Sequence, residues 1–263
     1  MSKKLILLDA YALIYRAHFA FIKNPRINSK GLNTSAIFGF CNSLLEVTNK
    51  FDPSHIGVVF DPPGGSDREG VFADYKANRQ EMPEDIRKAI PHIFDLLKAM
   101  NIKVEMEEGF EADDVIGTLA KQAEKKGFET YMMTPDKDFG QLVSDHIFIY
   151  KPGRSGNPSE ILGPKEVCEK FEVKDPLQVI DILGLWGDAV DNIPGVPGVG
   201  EKTAKKLIST YGSIENLIKN THDLKGKLKE NVENFAEQAI LSKQLATIIS
   251  VSYTHLTLPT IRE

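Results

Sequence analysis

The sequence predicts an α/β fold, a central and mainly parallel sheet with flanking helices, followed by a smaller helical region. Three observations carry this expectation. Compact apolar runs of strand length at residues 3–8, 56–60, 128–134 and 147–150 lack the polar alternation of a one-sided sheet. Segments with helical spacing lie between them. From about residue 180 onward, helical stretches punctuated by Gly and Pro replace the strand pattern.

Taken in order, the first strand ends at Asp9, and Tyr11, Tyr15 and Phe19 then recur at four-residue spacing, the mark of one aromatic helix face. Residues 34–50 carry Ile37, Cys41, Leu44, Leu45 and Thr48 as a stripe suited to covering the sheet. A strand at 56–60 ends at Asp61. Pro83, with its fixed φ, suits the start of a helix whose buried side is Ile86, Ala89, Ile90, Ile93, Phe94 and Leu97, with Pro91 expected to kink it. A short strand at 103–106 leads to Glu111-Ala112-Asp113-Asp114, acids at the entrance of a helix continued by Val115, Ile116, Leu119, Ala120 and Ala123. Strands at 128–134 and 147–150 complete the set. The organisation expected is a core over 1–175 and a helical region over 176–250.

Composition narrows the class. In 263 residues, 41% apolar and 26% charged, there is enough apolar material for a substantial core, and neither a disordered nor a fibrous chain is indicated. The run from Leu5 to Leu8 is too short for a leader or a membrane span, so a cytoplasmic location is expected. Cys41 and Cys168 belong to no close pair, which disfavours a cysteine zinc site. The net charge of −5 is opposite to the usual footprint of a nucleic-acid binder, so any such role must rest on local basic patches.

Nine acids stand at strand ends, helix entrances and loops: Asp9, Asp61, Glu111, Asp113, Asp114, Asp136, Asp138, Asp188 and Asp191. Singly, each has a plain reading as a strand terminator, helix cap or loop acid. If they converge, their repulsion calls for divalent cations, and hard carboxylate oxygens suit Mg²⁺ or Mn²⁺. Spacing alone leaves both readings open.

The ordered blocks Leu8-Asp9, Val58-Val59-Phe60-Asp61, Glu111-Ala112-Asp113-Asp114, Thr134-Pro135-Asp136-Lys137-Asp138 and Gly187-Asp188-Ala189-Val190-Asp191-Asn192-Ile193-Pro194-Gly195 resemble those of the 5′-nuclease family that includes the nuclease domain of bacterial DNA polymerase I and flap endonucleases. The resemblance runs to about Ser250. It implies a structure-selective 5′→3′ exonuclease and flap endonuclease of replication and repair. Two Mg²⁺ ions, replaceable by Mn²⁺, would be held by the nine acids, with Asp9, Asp61, Glu111, Asp113 and Asp114 on one side and Asp136, Asp138, Asp188 and Asp191 on the other. The implied partner is branched, nicked or 5′-flap DNA, an RNA-containing 5′ strand being admissible, bound by a monomer away from membranes.

Within residues 67–82, Tyr75-Lys76-Ala77-Asn78-Arg79 resembles the family's helical arch, and Lys76 and Arg79, three apart, are expected on one helix face as catalytic cations. Arg68 and Tyr75 are the expected DNA contacts beside them, Tyr75 by stacking a base, and Arg16 on the first helix is another. Residues 193–200 read as a glycine hairpin between helices, with Gly195, Gly198 and Gly200 offering amides to phosphate and Lys202, Lys205 and Lys206 forming a basic flank. Glu201 stands where a nucleotide-binding P-loop needs Lys, which argues against ATP chemistry. In the resembling family this helix–hairpin–helix grips duplex DNA, at times with a bound K⁺. Residues 251–263 depart from the family and read as a non-native tail.

Overall fold

A computed structural model describes residues 3–153 and 158–249. The tail expected at 251–263 lies outside them. Six strands, β1 (Lys3–Asp9), β2 (His55–Val59), β3 (Lys103–Glu105), β4 (Phe128–Met133), β5 (Ile147–Lys151) and β6 (Glu160–Leu162), form one sheet in the order β3-β2-β1-β4-β5-β6. The first five run parallel, and β6 adds an antiparallel edge.

The core follows from strand periodicity. On β1, Leu5 and Leu7 face one side and Ile6 and Leu8 the other, all fully buried. The second side is covered by α1 (Ala10–Ala20), α2 (Ser35–Phe51) and, after the four-residue α3 (Arg68–Val71), by α4 (Glu84–Ala99). These helices contribute Leu13, Ile14, Phe40, Leu44, Ile86 and Ile93, each buried Leu or Ile stabilising the fold by about 1.5–3 kcal/mol. The first side is covered by α5 (Ala112–Lys125) through Val115, Ile116 and Leu119. That core continues without a break into the helical region. After α6 (Pro164–Phe171), the helical region comprises α7 (Val179–Trp186), α8 (Glu201–Tyr211), α9 (Ile214–Lys219), α10 (Gly226–Asn234) and α11 (Ala236–Ala246).

Local departures from expectation have physical causes. The α1 face that enters the core is Ala10, Leu13, Ile14 and Ala17; Tyr11 and Tyr15 pack half-buried against that core, whereas Phe19, at the end of the aromatic stripe, is 54% exposed. α4 runs through Pro91 as one helix, its ring on the exposed side. Residues 72–82 carry no regular helix, and Lys76 has φ +56°, a left-handed conformation that ends any shared helix face with Arg79. The arch segment is therefore a short helix followed by turns.

β1 and β4 are neighbours, while β2 and β3 lie to one side and β5 and β6 to the other. The connections reverse direction at this point, leaving a crevice at the carboxyl ends of β1 and β4, where open α/β sheets bind ligands. Asp9 ends β1, and Asp61 and Asp136 follow β2 and β4 by a few residues.

Candidate active site

Asp9, Asp61, Asp113 and Asp136 stand near enough at this crevice for their charges to act on one another. Asp9 caps α1 by accepting from the Ala12 amide at 3.2 Å and also accepts from Thr134 Oγ1 at 3.0 Å. Asp61 accepts from the Ala112 amide at 3.0 Å, at the start of α5. Asp136 accepts from the Asp138 amide at 2.9 Å. Cap chemistry and convergence therefore coexist in the same residues. Burial, then the charges of Asp61 and Asp136, push the Asp9 carboxyl up to about 7. Burial, followed by Asp136 and Asp9, likewise holds Asp113 well above the usual carboxylate range. Among the described residues none of these four forms an ion pair.

Asp138, Asp188 and Asp191 form a second group, and here cations intervene. Gly187, with φ +77°, turns the chain out of α7, and mutual backbone bonds between Asp188 and Ile193 close the loop that carries both acids. Lys137 Nζ bonds Asp188 Oδ2, lies 3.9 Å from Asp138 Oδ1 and sits 5.3 Å from the Trp186 ring centroid. Arg79 Nη2 meets Asp191 Oδ1 at 2.6 Å, with Lys76 Nζ 3.9 Å from the other oxygen. Burial and the neighbouring Asp136 raise the Asp138 pKa, and its Oδ1 is buried with no hydrogen-bond partner. Burial also raises Asp191, against the pull of Lys76 and Arg79.

Glu111 and Asp114 are placed differently. Glu111 accepts from Ser66 Oγ at 3.0 Å, Lys76 Nζ at 2.7 Å and Tyr75 OH at 3.1 Å. Burial pushes Glu111 up, but Lys76 and Arg68 together bring it below the ordinary range. Asp114 is fully buried, takes both arms of Arg68 at 2.6 and 2.7 Å, and accepts from the amides of Ile249 at 2.7 Å and Glu111 at 3.2 Å. Its oxygens are committed to joining the arch base, α5 and the segment after α11.

The expected DNA contacts divide in the same way. Arg68 is buried on Asp114 and on the Thr247 carbonyl at 2.8 Å, so it offers no surface charge. Tyr75 is only 4% exposed, with its hydroxyl on Glu111, and presents no face for stacking a base. Arg16 Nη2 bonds the Gly153 carbonyl at 2.8 Å. In the hairpin, Gly195 is buried: its amide donates to Ser242 Oγ at 3.0 Å, and a Cβ there would stand 2.5 Å from Gly187 N. Its glycine requirement is close backbone packing. Gly198, with φ +77°, and Gly200, which precedes α8 in open space, are the exposed members. Lys202 and Lys206 are exposed, whereas Lys205 pairs with Glu201 at 2.7 Å.

Sequence reasoning passed over two participants. Lys137 stands between two of the candidate acids in Asp136-Lys137-Asp138, where a cation beside buried carboxylates was legible. Thr134, which orients Asp9, gave no signal beyond its place at a strand end.

The fit to a divalent cation is mixed. Hard oxygens, mutual repulsion and the orphaned Asp138 Oδ1 suit such an ion. Yet among the described residues no three His, Cys, Asp or Glu side chains are grouped so that they could hold one metal ion. Among the described residues no helix is long and apolar enough to cross a membrane.

Residues 4–172 match the family described as 5′-3′ exonuclease, N-terminal resolvase-like domain, and residues 174–262 match 5′-3′ exonuclease, C-terminal SAM fold. The chain is 44% identical over 250 residues to DNA polymerase I of Bacillus subtilis, covering 94% of this chain and 28% of that protein. It thus spans under a third of the polymerase. It is 41% identical over 218 residues to the 5′-3′ exonuclease of Aquifex aeolicus, covering 83% of this chain and 73% of that one. The fold is similar to zinc-bound T5 5′-exonuclease, with TM-score 0.77 at 20% identity, covering 93% of this chain and 89% of that one.

Proposed function

Because the chain belongs to the 5′-3′ exonuclease family, we propose that it is a structure-selective nuclease that hydrolyses phosphodiester bonds near the 5′ ends of branched, nicked or flapped DNA. The observation that carries this reading is the group Asp9, Asp61, Asp113 and Asp136 at the crevice, whose mutual repulsion and burial raise Asp9 and Asp113 and whose members form no direct ion pair among the described residues. A protein keeps such a destabilising cluster where function needs it.

The residues that would hold two Mg²⁺ or Mn²⁺ ions are Asp9, Asp61, Asp113 and Asp136 in one group and Asp138, Asp188 and Asp191 in the other. The divalent ions bound to T5 5′-exonuclease support this reading. When bound, such ions supply a water ionised at neutral pH and neutralise charge on the scissile phosphate and leaving oxygen. Glu111 and Asp114 act by positioning: Glu111 orients Lys76 and Tyr75, and Asp114 anchors Arg68.

Lys76 and Arg79 supply the cationic donors. The incoming phosphate competes with Glu111 and Asp191 for them, and a donor that strengthens as phosphate charge redistributes lowers the barrier more than it aids binding. Gly198, Gly200, Lys202 and Lys206 grip the duplex backbone without reading sequence, with K⁺ as an added ligand of the hairpin.

A module that binds DNA without cutting it is the second reading, favoured by the lack of a preassembled three-ligand group among the described residues. Cleavage of an end-labelled 5′ flap with Mg²⁺ or Mn²⁺ separates the two. Metal-dependent cutting, lost in a folded Asp113→Ala protein, supports the nuclease, while tight junction binding with no product supports the module.

A further inference from the structure

Lys137 is the one member of the Asp136-Lys137-Asp138 block to which the proposed reaction gives no task. Its ammonium is bonded to Asp188 Oδ2, 3.9 Å from Asp138 Oδ1, on side chains that are themselves 9% and 11% exposed. Nothing comparable serves the other carboxylate group: Asp9 has an amide and a hydroxyl, Asp61 and Asp136 have amides, and none has an ion pair among the described residues. The acidic constellation is therefore divided electrically. One half holds a lysine ammonium in direct contact, and the other has no direct ion pair among the described residues.

We propose that Lys137 is a built-in counter-cation of the Asp138–Asp188 pair, which divalent ions must displace, so that this half of the site binds them more weakly than the Asp9–Asp61–Asp113–Asp136 half. The assignment rests on the divalent-cation reading above. A carboxylate oxygen that donates a lone pair to a divalent ion loses its bond to an ammonium, and the ammonium repels the incoming charge at close range. Asp138 Oδ1, buried and without a hydrogen-bond partner, is an acceptor left open beside the lysine. Trp186 gives the displaced ammonium somewhere to go: Nζ already lies over its ring, and a cation can stay there after leaving Asp188. Asp188 Oδ1 is fixed by the Val190 amide at 2.8 Å, so the carboxylate keeps its aim when Oδ2 is released.

The test is Mn²⁺ binding without DNA, followed by calorimetry and by the loss of free-ion paramagnetic resonance. The full chain should show two unequal classes of site. Lys137→Gln should tighten the weaker class about tenfold and leave the stronger class within about threefold, while Lys137→Arg should keep the weaker class near its original affinity. Lys229→Gln, which removes an equal charge from the surface of α10, should change neither class, so a general electrostatic effect is separable. If Lys137→Gln folds poorly, Lys137→Met, which keeps the aliphatic stem, carries the same expectation. Unchanged or weaker binding in the second class after neutralising Lys137 overturns the counter-cation role and leaves the nuclease reading standing. Failure of the unaltered chain to bind Mn²⁺ at all overturns both.

Discussion

Arg79 and Asp191 meet across 112 residues of sequence, the guanidinium Nη2 standing 2.6 Å from a carboxylate oxygen. Around this contact the arch segment is fastened to the loop after α7. The Lys76 amide donates to the Asp191 carbonyl at 2.9 Å, Asn78 to the Ala189 carbonyl at 2.7 Å, and Asn192 to the Asp74 carbonyl at 2.7 Å. The segment that carries the cations and the loop that carries two acids form one unit.

Lys76→Ala and Arg79→Ala should each lower the single-turnover rate of flap cleavage at saturating DNA by roughly a hundredfold, the scale of losing one electrostatic donor. The double variant should lose less than the product of the two, since both cations share Asp191. Rapid-quench kinetics beside binding measurements decides it. Normal rates with weaker binding would make both residues substrate-gathering only.

Asp114→Ala should unfold more easily even without divalent ions, because it strands a buried Arg68; breaking such a pair costs about 3–5 kcal/mol. Urea denaturation in chelator measures this. A stable Asp114→Ala protein that loses only divalent-ion affinity would contradict the positioning role.

The metal-free protein should lose stability as pH rises from about 4 to 7. Asp9 ionises at an ordinary 3.8 in the unfolded chain and near 7 in the folded one. Between those values the folded state keeps a proton that the unfolded state has released, so stability falls through the window and levels off above it. Asp113 and Asp138, also raised by burial first, act in the same direction. Thermal melts in chelator and in Mg²⁺ should show a larger gain from Mg²⁺ at pH 8 than at pH 5. An equal gain at both would argue against the repulsion.

The hairpin glycines should separate by role. Gly195→Ala should destabilise the fold, because the Cβ meets the Gly187 backbone and φ is +60°. Gly200→Ala, in open space, should leave the melting temperature nearly unchanged. Lys202→Ala should weaken duplex binding alike for unrelated sequences and reduce the salt slope by about 1. A sequence-dependent loss would oppose a backbone grip.

Much of this was legible because strand and helix periods differ and because turn acids stand in fixed order. Leu5 to Leu8, Val115 to Leu119 and the acids at the ends of β1, β2 and β4 could be read directly. β6 and α6 passed unread, since three residues of strand and a helix of eight give too short a period to register. What spacing could not convey was which acids would find cations. Asp113 and Asp114 are adjacent, yet successive helix positions point about 100° apart, so one turns into the crevice and the other onto Arg68. The burial of Tyr75 and Arg68 was hidden for the same reason: it depends on Glu111 and Asp114, distant in sequence.

If the group around Asp113 is kept in repulsion for catalysis, Asp113→Asn exposes both sides of that trade at once. Neutralising this buried carboxylate should raise the melting temperature of the metal-free protein, because Asp136, Asp9 and Asp61 lose a like-charged neighbour. The same change should cut single-turnover cleavage of a 5′ flap in Mg²⁺ by at least about a thousandfold, the larger end of the loss for one electrostatic group. Both should be measured on one preparation with DNA saturating. A more stable protein that no longer cleaves is the result predicted; cleavage within tenfold of the unaltered chain, or a lower melting temperature without metal, would contradict it.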